Sequence, residues 1–78
     1  MKIKITAYGI LRSYLGHVSV TVIDKEINSP KSIKEIISEM GIPDGMVMMV
    51  AINDQQKDFN YVPQDGDDIK LIPPISGG

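Results

Sequence analysis

The residues best placed to do chemistry close the sequence: Ser76-Gly77-Gly78, directly after the stiff pair Pro73-Pro74. Neither glycine carries a Cβ, so the segment can slide through a channel too narrow for other residues. Its last group is an α-carboxylate, ionised at neutral pH with an ordinary pKa of about 3.5. The chemistry on offer is that of a carrier. Gly78 would be the reacting residue, and Pro73, Pro74, Ile75, Ser76 and Gly77 the thread that delivers it. The bland alternative is a frayed end. On the two glycines alone that alternative leads; the remaining residues reverse the balance.

Other chemistry is sparse. The 78 residues hold no cysteine and a single histidine, His17. Disulfides, thiolate metal sites and cysteine nucleophiles are therefore excluded. No Ser/His/Asp grouping has plausible spacing, and no glycine-rich phosphate loop occurs. Asp65-Gly66-Asp67 reads as a turn, too short of further ligands for calcium. His17 and the five methionines receive no catalytic or metal role. No metal site and no bound cofactor are expected.

Net charge is −2, with lysines and acids interspersed, so nucleic acid is not an expected ligand. The longest apolar run, Met46 to Ile52, is too short to span a bilayer. Met1-Lys2-Ile3-Lys4-Ile5 alternates and lacks the apolar block of a signal peptide. A cytoplasmic location is expected.

The elements that must position the terminus follow from periodicity. Lys2 to Tyr8 alternates, with Ile3, Ile5 and Ala7 on one face, and predicts a strand. Gly9 to Gly16 suits a short helical turn. Val18, Val20 and Val22 alternate with Ser19 and Thr21 and predict a second strand, antiparallel to the first. Ser32-Ile33-Lys34-Glu35 is a capping box. Ile33, Ile36, Ile37 and Met40 then form one helical stripe, stopped by Gly41 and Pro43. Val47 to Ile52 is apolar on both faces, which predicts a central strand. Asn53-Asp54 is a turn, Lys57 to Tyr61 a candidate short strand, and Asp68 to Ile72 the last strand.

One helix over a mixed sheet of four to five strands is an α+β arrangement, and the order fits a β-grasp fold. Residues 1–72 would be the folded domain and 73–78 a flexible tail of roughly 20 Å reach, at about 3.3 Å per residue. In that fold the last strand lies between the first and the third. Tyr8, Met49 and Ile72 would then share the sheet face away from the helix, near the root of the tail. An apolar cluster there would be a partner-binding surface.

Three blocks of the sequence resemble the ubiquitin-like sulfur carriers of the MoaD/ThiS family, and within it the small subunits of molybdopterin synthase. They are Tyr8-Gly9-Ile10-Leu11-Arg12 after the first strand, Asp65-Gly66-Asp67 leading to Ile69 and Leu71, and Ile72-Pro73-Pro74-Ile75-Ser76-Gly77-Gly78. Ser13 departs from the pattern, which often has Glu there.

The resemblance implies a carrier that is not a stand-alone enzyme. A ubiquitin-activating-like adenylating enzyme would use ATP and Mg²⁺ to adenylate Gly78, and a sulfur donor would convert the adenylate to a thiocarboxylate. The acceptor would be the large subunit of molybdopterin synthase or another sulfur acceptor enzyme. Two alternatives stay open: a protein modifier conjugated through Gly78, and a sulfur carrier for thiamine, tRNA or another metabolite.

Overall fold

The computed structural model describes residues 1–15, 22–43 and 45–74. Its elements are β1 (Lys2–Ala7), a 3-10 segment (Gly9–Leu15), β2 (Val22–Glu26), α1 (Ile33–Glu39), β3 (Met49–Ile52), β4 (Gln55–Lys57) and β5 (Asp68–Ile72). The five strands form one sheet in the order β2-β1-β5-β3-β4. β1 pairs antiparallel with β2 and parallel with β5, and β3 runs antiparallel to both β5 and β4. This is the β-grasp arrangement. The last strand sits at the centre of the sheet, and α1 makes the crossover from β2 to β3.

Alternation decides which face is buried. Ile3, Ile5 and Ala7 of β1, Val50 and Ile52 of β3, and Ile69 and Leu71 of β5 are all at most 2% exposed. They join Ile33, Ile36 and Ile37 of α1 in one core. The helix begins as its sequence requires. The Ser32 hydroxyl accepts from the Glu35 amide, and Glu35 reaches back to the Ser32 amide at 3.1 Å. It ends in a Schellman pair: Gly41, at φ +80°, donates to the Ser38 carbonyl, and Ile42 donates to that of Ile37.

Two expectations need correction. The predicted fourth strand at Lys57 to Tyr61 lies earlier, at Gln55–Lys57. Asn53 and Asp54 both adopt positive φ, so the chain reverses in two residues and pairing starts at once, Ile52 with Gln55. The second strand extends on to Glu26, and Val22 is 45% exposed while Ile23 is half-buried. Val22 pairs with Thr6, so both lie on the face away from the core. The rest of that predicted strand, Val18 to Thr21, lies outside the described residues, as does His17. Pro73 and Pro74, the first two residues of the expected tail, are half-buried.

Candidate functional site

The site is built where β5 leaves the sheet. Its central position makes Ile72 the last residue of the best-supported strand, with β1 on one side and β3 on the other. Met49 is the Cα partner of Ile72 across β3, so their side chains project from the same face. The Met48 amide adds a further bond to the Ile72 carbonyl at 2.8 Å. Both Met49 and Ile72 are half-buried, and Tyr8, just past the end of β1, is 43% exposed. The exposed Ile10 and Met48 flank this end of the sheet in sequence. The structure thus puts Met49 and Ile72 on neighbouring strands, and Tyr8 just past the end of β1, beside the start of the tail.

Val22 apart, the remainder of the same face is largely polar. Lys2 faces Glu26 and Lys4 faces Asp24 across the β1–β2 pair. Lys70 of β5 forms an ion pair with Asp54 at 2.6 Å, which raises the lysine's pKa through that hydrogen bond and the carboxylate charge. The open face is therefore divided, apolar toward the tail and charged toward the other end.

Below the tail root, the 3-10 segment closes the end of the core. Leu11 is fully buried. Arg12 donates from Nε to the Gly9 carbonyl at 3.1 Å and Ser13 donates to Ile10 at 3.1 Å, so both side chains cap this turn. Gly9 has φ +59°, and a Cβ placed there would lie 3.3 Å from Pro73 Cγ. That contact was not legible in the sequence, which shows a glycine and a proline 64 positions apart and nothing to join them.

At the opposite end, the Asp-Gly-Asp turn is confirmed and does more than reverse the chain. Asp65 accepts the Lys2 amide at 2.8 Å, and Gly66 donates to the Lys2 carbonyl. Asp67 is only 7% exposed. It accepts from the Gln64 amide, Asn53 Nδ2 and the Tyr61 hydroxyl, at 2.8, 3.0 and 3.0 Å. Burial pushes its pKa up, but these three bonds and the charge of Lys57 outweigh it and leave the carboxyl below its ordinary value. The arrangement is structural: it ties the β3–β4 turn to the approach of β5.

A cleft of about 330 Å³ lies on the helix side, between Ile37, Val47, Pro43 and Phe59, with Lys34 and Asp58 at its rim. None of these residues lies on the open face. Among the described residues no group of three His, Cys, Asp or Glu could hold a metal ion. No helix among them is long and apolar enough to cross a membrane. The predicted reacting residue Gly78 and the thread residues Ile75, Ser76 and Gly77 lie outside the described residues. Pro73 and Pro74 are the part of the thread that the structure places.

Comparison with known proteins adds to this geometry. The sequence matches the ThiS family over residues 8–78. No curated protein sequence matches it closely enough to count as a relative. The fold is similar to that of a Pyrococcus furiosus protein described as molybdopterin converting factor subunit 1, at a TM-score of 0.70 and 18% identity, covering 96% of this chain and 99% of that one. It is similar to SAMP1 of Haloferax volcanii, a small archaeal modifier protein, at 0.71 and 15%, with both chains covered in full. Subunit 1 of the molybdopterin-converting factor of Helicobacter pylori, solved in complex with subunit 2, is similar at 0.62 and 25%, again over both full chains.

Proposed function

The chain belongs to the ThiS family of ubiquitin-like sulfur carriers, and we propose on that basis that its Gly78 carboxylate carries sulfur for molybdopterin synthesis. A carboxylate is a poor electrophile because its charge is delocalised and its leaving group would be oxide. A ubiquitin-activating-like enzyme, with ATP and Mg²⁺, forms the acyl-adenylate and releases pyrophosphate. A sulfide-level donor attacks the acyl carbon and AMP leaves. The product is a thiocarboxylate, anionic and soft, and a better nucleophile than the carboxylate it replaces. This chain supplies the acyl carbon that carries the sulfur, and its arm; the partner enzymes supply acid, base and metal.

One observation carries the reading. The central strand β5 runs straight into Pro73-Pro74 with Tyr8, Met49 and Ile72 gathered beside that exit. An apolar surface at the root of a delivery arm suits a protein that docks its body while inserting its terminus. The Helicobacter pylori relative, solved with its subunit 2, supports a large synthase subunit as the acceptor. Likeness to SAMP1 favours a second reading, conjugation of Gly78 to lysines of target proteins. Both begin with the same adenylate.

Intact mass separates them. Incubation with ATP, a sulfide source and the activating enzyme is expected to add about 16 Da, one oxygen exchanged for sulfur. Higher-mass conjugates on other proteins would instead support the modifier. Sulfur transfer retained after deletion of Gly78 would refute the carrier mechanism.

A further inference from the structure

We propose that Gly9 is a positioning residue: it is the seat of the Pro73 ring, and this contact sets the direction in which the C-terminal arm leaves the body. The inference rests on the carrier reading for its purpose, but not for its geometry.

Two requirements meet at Gly9. Its φ of +59° lies in the left-handed region, where a Cβ is strained. Its missing side chain also leaves the space into which Pro73 packs, since a Cβ would stand 3.3 Å from Cγ. Carbon atoms at optimal separation are about 3.5–4.0 Å apart, so a Cβ would press on the ring, which would have to give by a few tenths of an ångström.

Both sides of the contact are anchored. The Gly9 turn is held by Leu11 donating to the Tyr8 carbonyl at 3.2 Å and by Arg12 Nε on the Gly9 carbonyl. Leu11 itself is sunk in the core. Pro73 follows Ile72, whose carbonyl is fixed by the Met48 amide. The proline ring locks its own φ near about −65°. With Pro74 it makes a stiff rod of about 6 Å, at roughly 3.1 Å per residue. A swing of about 10° at the seat displaces the far end of that rod by about 1 Å, an error that can cost on the order of 100-fold in a positioned reaction.

The test compares Gly9→Ala, Pro73→Ala and the double variant in adenylation by the activating enzyme with ATP, read as pyrophosphate release. Gly9→Ala is expected to lower kcat by about tenfold with KM within about twofold, because docking uses the sheet face and delivery uses the arm. Gly41→Ala, which also sits at positive φ but with no neighbour within 4 Å, is expected to leave kcat unchanged. Pro73→Ala removes the ring without straining Gly9. It is expected to lower kcat too, and adding Gly9→Ala to it is expected to cost nothing more. Independent losses that multiply in the double variant would overturn the proposal, as would an unchanged kcat in Pro73→Ala.

The seat is also read in the chain alone. Pro73→Ala is expected to shift the Gly9 amide resonance, and no shift would refute the contact. A chain that is never adenylated would end the carrier reading while that shift still stood.

Discussion

Tyr61 donates its hydroxyl to Asp67 Oδ2 at 3.0 Å, and this bond joins the segment after β4 to the start of β5. It raises the pKa of the tyrosine, with burial and the aspartate charge adding to the effect. It helps to lower that of the aspartate. The pair is the visible part of a knot that also takes in Asn53 and the Gln64 amide.

The knot makes stability depend on acid. Asp67 has a folded pKa below the ordinary 3.8. Its contribution is therefore complete above that value, declines as pH falls below it, and is gone once pH passes the folded pKa. Asp67→Asn is expected to cost about 2 kcal/mol at pH 7, because two donors and an amide lose their charged acceptor. The difference from the wild type should shrink below about pH 4. Urea midpoints of both chains at pH 3 and pH 7 measure it, and a pH-independent difference would contradict the assignment.

Ile72→Asp places a charge in the middle of the apolar half of the open face. Binding to the activating enzyme or the synthase large subunit is expected to weaken at least about tenfold, or about 1.4 kcal/mol. The melt should stay cooperative, since Ile72 is half-buried and points away from the core. Titration calorimetry with the wild type alongside gives the result; equal affinities would remove this surface from the docking site.

Two glycines at positive φ separate strain from contact. Gly41→Ala meets nothing within 4 Å and is expected to cost only the conformational penalty, about 1 kcal/mol. Gly9→Ala carries the same penalty and also presses on Pro73, so its thermal midpoint should fall further. Equal losses in the two variants would mean that the ring yields freely.

Leu71 faces the core from β5 at 1% exposure. Leu71→Ala is expected to cost about 2–5 kcal/mol. For a domain of this size that is a large part of the whole stability. Denaturant unfolding should show a midpoint near zero denaturant or a chain already unfolded. A midpoint close to the wild type would show that the core collapses into the gap.

The sequence by itself determined those features that depend on neighbours along the chain. Period-two alternation named the buried face of β1, because a strand turns every second side chain the same way, and the unbroken apolar run at β3 marked an interior strand without naming its core face. Ser32 and Glu35, three residues apart, specified the helix start; Gly41 and Pro43 specified its end. The joint face of Tyr8, Met49 and Ile72 was within reach once the strand order was inferred. Short-range pairing also explains the misplaced fourth strand: the tight Asn53-Asp54 reversal began β4 at Gln55, where polar residues on a sheet edge leave no alternation to read. Only the tertiary structure decided what meets across long separations. Asp67 meets Asn53 because the antiparallel pairing of β3 with β5 sets the β3–β4 turn beside the start of β5, and Gly9 receives Pro73 because the parallel pairing of β1 with β5 brings the C-terminal ends of those strands side by side. No local propensity encodes such a meeting, since it depends on the closure of the whole sheet.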